Sequence, residues 1–162
     1  MSISSFRRLI EAAAIWCQYL TAWGGIISYA KLSSDDIALI TAASSSAGLG
    51  GLQIAKLTGA MTIAVTRTAG KKQFLLDAGA DHVVVTDDED LRERVMEITE
   101  GRGFTVAYDS VGGEFMADLI AAVQPCGTIV NYGNLRTEPI NVAILPMLVK
   151  RLNIKFHSLF DT

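Results

Sequence analysis

Ile37-Ala38-Leu39-Ile40-Thr41-Ala42, running into Ala43-Ser44-Ser45-Ser46-Ala47-Gly48, is the stretch on which the fold turns. Its first half is short, apolar and bounded by the polar break Ser33-Ser34-Asp35-Asp36, the pattern of a strand buried on both faces. Its second half is a turn of small residues. Beyond it, Gln53-Ile54-Ala55-Lys56-Leu57 reads as a helix closed by Gly59.

Outward from this unit the alternation continues in both directions. Strand-like Met61 to Thr66 precedes helical Gly70 to Ala78 with Gly79 at its end, and His82 to Val85 precedes a helix over Asp90 to Glu100, whose Leu91, Val95 and Ile98 form one apolar stripe. Phe104 to Asp109 reads as strand and Glu114 to Val123 as helix, followed by strand Gly127 to Tyr132, helix Ala143 to Leu152 and a last strand Ile154 to Leu159. Upstream, Leu9, Ala13, Trp16, Leu20 and Trp23 recur at helical spacing between Ser5 and Tyr29, until Gly24-Gly25 weakens the pattern. Six strands alternating with helices call for a parallel sheet covered on both faces by right-handed crossovers, a doubly wound α/β domain. Six strands are also what two mononucleotide-binding halves require, with the ligand crevice where the strand order reverses.

Composition narrows the function. At 162 residues and half apolar content, the chain has material for one good core: a leading helical segment over 1–32 and one dinucleotide-binding domain over 33–162. Fourteen basic against seventeen acidic residues leave a net charge of -3, with no field to hold nucleic acid or anionic lipid. The expected partner is a small molecule. Cys17 and Cys126 lie far apart with no CxxC spacing, which suits a reducing compartment, and a cytoplasmic protein is expected. Arg7-Arg8 before an apolar run resembles a signal peptide, but Glu11 interrupts it, and nowhere do eighteen apolar residues run uninterrupted.

The turn Ala43 to Gly48 stands where a dinucleotide fold carries GxGxxG, and only the last glycine is present. Alanine and serine are the next smallest residues, and Ser44, Ser45 and Ser46 add hydroxyls to a helix N-terminus, which already favours phosphate through unpaired N–H groups and its dipole. A plain serine N-cap explains the same residues. The balance shifts at the end of the next strand, about twenty residues on, where an NAD site wants an acid for the ribose diol. Arg67 stands there, with Lys71 and Lys72 after it, which suits the 2′-phosphate of NADP(H). A solvated helix end is the bland alternative.

Several runs carry a resemblance: Gln18-Tyr19-Leu20-Thr21-Ala22-Trp23, Leu39 to Ser46 with Gly48, Asp77-Ala78-Gly79-Ala80-Asp81-His82-Val83, Asp109-Ser110-Val111-Gly112-Gly113 and Asn131-Tyr132-Gly133. From about Ala12 to Asp161 the chain is similar to the cofactor domain of the medium-chain dehydrogenase/reductase superfamily, in its zinc-type alcohol dehydrogenase-like and NADPH quinone oxidoreductase branch. The resemblance implies a six-stranded parallel Rossmann fold, NADP(H) as cofactor, and a reductase acting on a quinone, enone or carbonyl. It implies that Ser45, Ser46, Ala47 and Gly48 face the pyrophosphate, Arg67 and Lys71 the 2′-phosphate, and Val111 with Gly112 the adenosine side. Asn131, Tyr132 and Gly133 would line the nicotinamide half, with Thr21 approaching from the first helix. Homodimers paired through the last strand are implied too. Family members precede this domain with a catalytic barrel-like domain, which is absent from this sequence, so a stand-alone NADP(H)-binding module is the alternative. Two departures stand out: Gly50-Gly51 where alanines are usual, which suggests a soft helix, and Cys126 where a turn glycine is usual, which suggests an altered turn.

No catalytic residue can be assigned from the sequence. Cys17 matches the spacing of a catalytic zinc ligand relative to Thr21, but no further ligands converge in the pattern, and a small buried hydrophobe on a helix explains it better; no metal is expected. His82 and His157 read as structural. No tyrosine has a lysine four residues on, which disfavours the short-chain dehydrogenases, and Arg67 disfavours a nucleotide-dependent methyltransferase, which needs an acid there.

Overall fold

The computed structural model describes residues 16–158. The first helix, α1, is regular over 16–22 and continues as a π-helical segment Trp23–Tyr29, in which Ala30 N–H reaches back five residues to Gly25 O at 3.1 Å. The part of this helix expected before residue 16 lies outside the described residues. After it come β1 (Ile37–Ile40), α2 (Ser46–Thr58), β2 (Met61–Thr66), a 3-10 turn (Ala69–Lys71) leading into α3 (Lys72–Asp77), β3 (His82–Val85) and α4 (Leu91–Ile98). The second half holds β4 (Phe104–Asp109), α5 (Phe115–Ala122), β5 (Val123–Asn131), α6 (Ile144–Lys150) and β6 (Asn153–Phe156).

All pairings are parallel and the strand order is β3-β2-β1-β4-β5-β6, as expected of two mononucleotide-type halves. Side-chain alternation along β1 builds the core on both faces. Ala38 and Ile40 pack with Ala22 and Ile26 of α1 and with Leu52 and Ala55 of α2, whereas Ile37 and Leu39 pack with Leu91 and Val95 of α4 and Leu119 of α5. The described part of the leading segment, 16–32, is therefore part of the sheet's own core.

Most helix ends, the end of β5 and the start of β6 differ from the sequence reading by a residue or two, and three boundaries differ for a visible reason. β1 ends at Ile40 rather than Ala42, because Ala42 takes a φ of +43°, in the left-handed region that turns the chain out of the sheet. α2 starts at Ser46, seven residues before the expected Gln53, and is continuous through Gly50-Gly51. The ring of Tyr108, 1% exposed, explains this: a Cβ on Gly51 would lie 2.7 Å from Tyr108 Cδ1, and one on Gly25 would lie 2.9 Å from Tyr108 Cε2. The helix gives up side chain to admit an aromatic ring, so the glycines are packing residues and not a soft spot. β5 starts at Val123, and its pairing with β4 jumps from Phe104↔Val123 to Val106↔Thr128, so the intervening residues bulge out of register. Cys126 sits in that bulge with a φ of +63°, which accounts for the glycine usual at this place. The predicted last residues of β6 are only partly described; the strand closes at Phe156.

Candidate functional site

β1 is flanked by β2 on one side and β4 on the other, so the chain winds away from it in opposite directions and opens a crevice at the carboxyl ends of these strands. Asp109, the last residue of β4, braces the floor of this crevice from behind, bonded to Thr41 and Val111, which line it. It is fully buried, and its carboxylate accepts four hydrogen bonds: from Thr41 Oγ1 (2.6 Å), Val111 N–H (3.0 Å), Gly112 N–H (3.0 Å) and Asn131 Nδ2 (2.9 Å). Thr41 Oγ1 in turn accepts Ser110 N–H at 3.0 Å. One acid thus ties the ends of β1, β4 and β5 together and shapes the 110–112 turn, where Gly112 has a φ of +66°. Buried carboxylates are costly unless their lone pairs are satisfied, and here N–H and O–H dipoles satisfy them.

Above this floor lies a cavity of about 540 Å³. One wall is the turn after β1, contributing Thr41, Ala42, Ser44 and Ser45. The second is the end of β2 with the following turn, contributing Thr66, Arg67, Thr68 and Lys71. The third comes from the other half of the chain: Val111, Phe115, Leu135 and Arg136. The turn is held tight by Gly48, where a Cβ would come within 2.5 Å of Ala42 O, so helix α2 can pack against the strand end only because that side chain is missing. Ser45 serves as N-cap, its Oγ accepting Gly48 N–H at 3.1 Å, while it also lines the cavity. The capping and ligand-facing readings of this serine are compatible.

Of the predicted residues, Ser45, Arg67, Lys71 and Val111 line this cavity. Ser46 and Ala47 form the first turn of α2 beside it, and Gly48 and Gly112 back its walls. Asn131, Tyr132 and Gly133 line a second, shallower depression of about 320 Å³, together with Asn134, Phe156, His157 and Ser158. Thr21 lines neither: it is half-buried and its hydroxyl donates to Cys17 O at 2.7 Å, one helical turn back. The Tyr132 ring stacks on Tyr108 at 3.8 Å, and burial pushes both hydroxyls above the ordinary phenol value, so both stay protonated at neutral pH. His157, expected to be structural, is 5% exposed, packs edge-on to Tyr29, and has no hydrogen-bond partner at either ring nitrogen among the described residues.

Sequence reasoning misses Arg136, Phe115, Leu135 and Thr86, all of which line the larger cavity. They come from loops and a helix start far along the chain, and no local motif announces them. It also misses the hub role of Asp109, although the run Asp109-Ser110-Val111-Gly112-Gly113 carries part of the resemblance. Cys17 and Cys126 are free and exposed, so Cys17 is not the buried hydrophobe expected: it lies on the solvent side of α1. No group of three or more His, Cys, Asp or Glu side chains that could hold a metal ion occurs among the described residues. No helix among them is long and apolar enough to cross a membrane.

A doubly wound parallel sheet with a small-residue turn, a cationic strand end and a polar hub at the switch point defines a dinucleotide-binding type of domain. The chain belongs to the zinc-binding dehydrogenase family, whose profile matches residues 47–161. It is 37% identical over 124 residues to Quinone oxidoreductase 1 of Escherichia coli K12, covering 76% of this chain and 38% of that protein. It is 30% identical over 155 residues to Prosolanapyrone synthase of Alternaria solani, covering 94% of this chain and 6% of that one. Among solved structures, Escherichia coli quinone oxidoreductase complexed with NADPH superimposes with a TM-score of 0.84 at 34% identity, over 93% of this chain and 46% of that one. The chain thus spans less than half the length of these relatives. The resemblance read from the sequence and the fold it implied both hold.

Proposed function

We propose that this chain is the NADP(H)-binding part of an oxidoreductase that passes hydride between NADPH and a small quinone, enone or carbonyl substrate. The observation that carries the reading is one cavity combining a small-residue turn at a helix N-terminus with Arg67 and Lys71 on the opposite wall. The residues present fit that cofactor. The first turn of α2 and Ser45 suit the pyrophosphate, and Arg67 with Lys71 suits a 2′-phosphate, since no Asp or Glu occurs between Met61 and Leu76 to accept a ribose diol. Val111 and Gly112, presented by Asp109, suit the adenosine side. Asn131, Tyr132 and Gly133 suit the nicotinamide half.

When bound, NADPH supplies the hydride; the chain's residues bind it, orient it and keep water away. Asp109 holds the Asn131 side chain through its amide N–H, and the stacked tyrosines give the nicotinamide side an apolar backing. The remaining expectations stay with this reading: a cytoplasmic protein, with neither nucleic acid nor membrane as partner, dimeric through β6. Support for the dimer is the exposed apolar surface of β6 and α6, including Phe156, Leu148 and Ile144.

Calorimetric titration tests the reading. The chain should bind NADPH in preference to NADH by about ten- to a hundredfold, the worth of a charge-assisted contact, and Arg67→Asp should erase most of that ratio. Equal affinity for the two cofactors, or a preference untouched by Arg67→Asp, would put the phosphate elsewhere.

A further inference from the structure

The wall of the cavity facing Arg67 and Lys71 carries a third cation, Arg136, and its setting differs from theirs. Arg67 and Lys71 sit at a strand end and on a turn, and neither has an aromatic ring under its cation among the described residues. The Arg136 guanidinium carbon instead lies 5.8 Å from the centroid of the Phe115 ring, over its face. The backbone fixes this arrangement. Leu135 N–H donates to Ser110 O at 3.0 Å and Arg136 N–H to Val111 O at 2.8 Å, so the loop after β5 is laced to the turn that Asp109 shapes. Gly113 makes room for the pair: a Cβ there would meet Arg136 Cβ at 2.8 Å. Arg136 and Phe115 both line the cavity, beside Val111 and Leu135.

A guanidinium is a plane with two usable faces. The Arg136 guanidinium has the Phe115 ring on one side, Val111 and Leu135 line the same wall, and the Asp118 carboxylate nearby answers part of its charge, a setting suited to a flat, weakly polar ring rather than to a phosphate. We infer that Arg136 recognises the adenine ring of the cofactor by stacking, extending a Phe115–Arg136 pair with the purine as third layer. The inference rests on the NADP(H) reading above and sharpens it by dividing the cationic residues into two kinds. Arg67 and Lys71 read charge, and so distinguish NADPH from NADH. Arg136 reads a flat ring common to both, so it contributes to affinity without choosing between them.

Titration calorimetry of the full chain with NADPH and with NADH, on Arg136→Ala, Arg136→Lys and Arg67→Asp, separates these roles; Arg136 is exposed, and circular dichroism checks that each variant folds. Both Arg136 variants should weaken NADPH and NADH alike, by roughly three- to tenfold, because lysine keeps the charge but loses the plane. The NADPH-to-NADH ratio should stay that of the unmodified chain in both, and shift only in Arg67→Asp. Full affinity in Arg136→Lys, or unchanged affinity in Arg136→Ala, would overturn the stacking role. A collapsed cofactor ratio in Arg136→Ala would overturn it too, by making Arg136 a phosphate ligand. Failure of the unmodified chain to bind either cofactor would instead overturn the NADP(H) reading, and this inference with it.

Discussion

The two edges of the sheet are built to opposite plans. At one edge, β3 is buried over Val83, Val84 and Val85, with α3 and α4 packed against it. At the other, three of the four residues of β6 are exposed and Ile154 is only half-buried, while α6 packs on β5 and α5 without burying any of its own residues. Hydrophobicity does not separate the two, since Phe156, Ile144, Leu145, Leu148 and Val149 crowd the open edge, each at least two-thirds exposed. The difference is therefore one of completion. The faces of the β3 edge are covered by its own chain, and the β6 edge leaves apolar surface open, the surface that the proposed second copy would cover.

Charge placed at the two edges should have unlike consequences, and this is where the largest effect is expected. Val84→Asp buries an unpaired carboxylate at a fully enclosed position and should cost more than about 4 kcal/mol, enough to prevent folding of a marginally stable domain. Phe156→Asp should leave the fold intact by circular dichroism and shift light scattering from dimer to monomer. A Phe156→Asp chain that stays dimeric would remove β6 from the proposed interface.

The finished edge is also tied electrostatically. Asp81, just before β3, accepts from Thr62 N–H and Oγ1 at 2.8 Å and pairs with Lys56 at 2.7 Å. Burial alone would raise its pKa, but the bonds from Lys56 and Thr62 outweigh it and hold the carboxyl below its ordinary value of 3.8. A lowered folded pKa means the folded chain binds fewer protons, so this stabilisation is present above about pH 4 and lost as pH falls through the lowered value. Asp81→Asn should cost about 1 kcal/mol at pH 7 in urea unfolding, and the gap to the unmodified chain should narrow toward pH 3. A gap independent of pH would assign the bonds no electrostatic part. The smallest expected change lies beside the open edge. Cys126→Gly relieves a left-handed residue in the β5 bulge and should raise stability by about 0.5–1 kcal/mol, net of the freedom glycine adds to the unfolded chain. A loss of stability on this substitution would show the thiol packs usefully.

The same contrast between local and long-range completion governs which elements are legible in the amino-acid sequence. β2, β3 and β4 match the sequence reading residue for residue, since each is a short apolar run closed by turn residues, and both faces are buried. The start of β5 is not legible, because the residues before Gly127 join the strand only through a bulge that depends on pairing with β4. The start of α2 is hidden by Gly50-Gly51, whose reasons lie far off in the chain: Gly50 faces the backbone of Gln18 and Gly51 the ring of Tyr108. In the site, Arg67 and Lys71 are legible from their distance to the serine turn, which is a local quantity. Arg136 is not, since only the lacing of the 135–136 backbone onto 110–111 brings it to the cavity.

Asp109 has one more consequence, which concerns dissolved salt. Its charge is answered by three N–H groups and a hydroxyl, with no cation among its hydrogen-bond partners in the described residues, and all of it is out of contact with solvent. Mobile ions screen exposed charges over about 8 Å at physiological ionic strength, but they reach such a buried, dipole-bound carboxylate hardly at all. The crevice therefore has a floor indifferent to ionic strength beneath walls, at Arg67 and Lys71, that are open to it. Potassium chloride would weaken the grip on an anionic ligand while leaving the shape of the pocket alone.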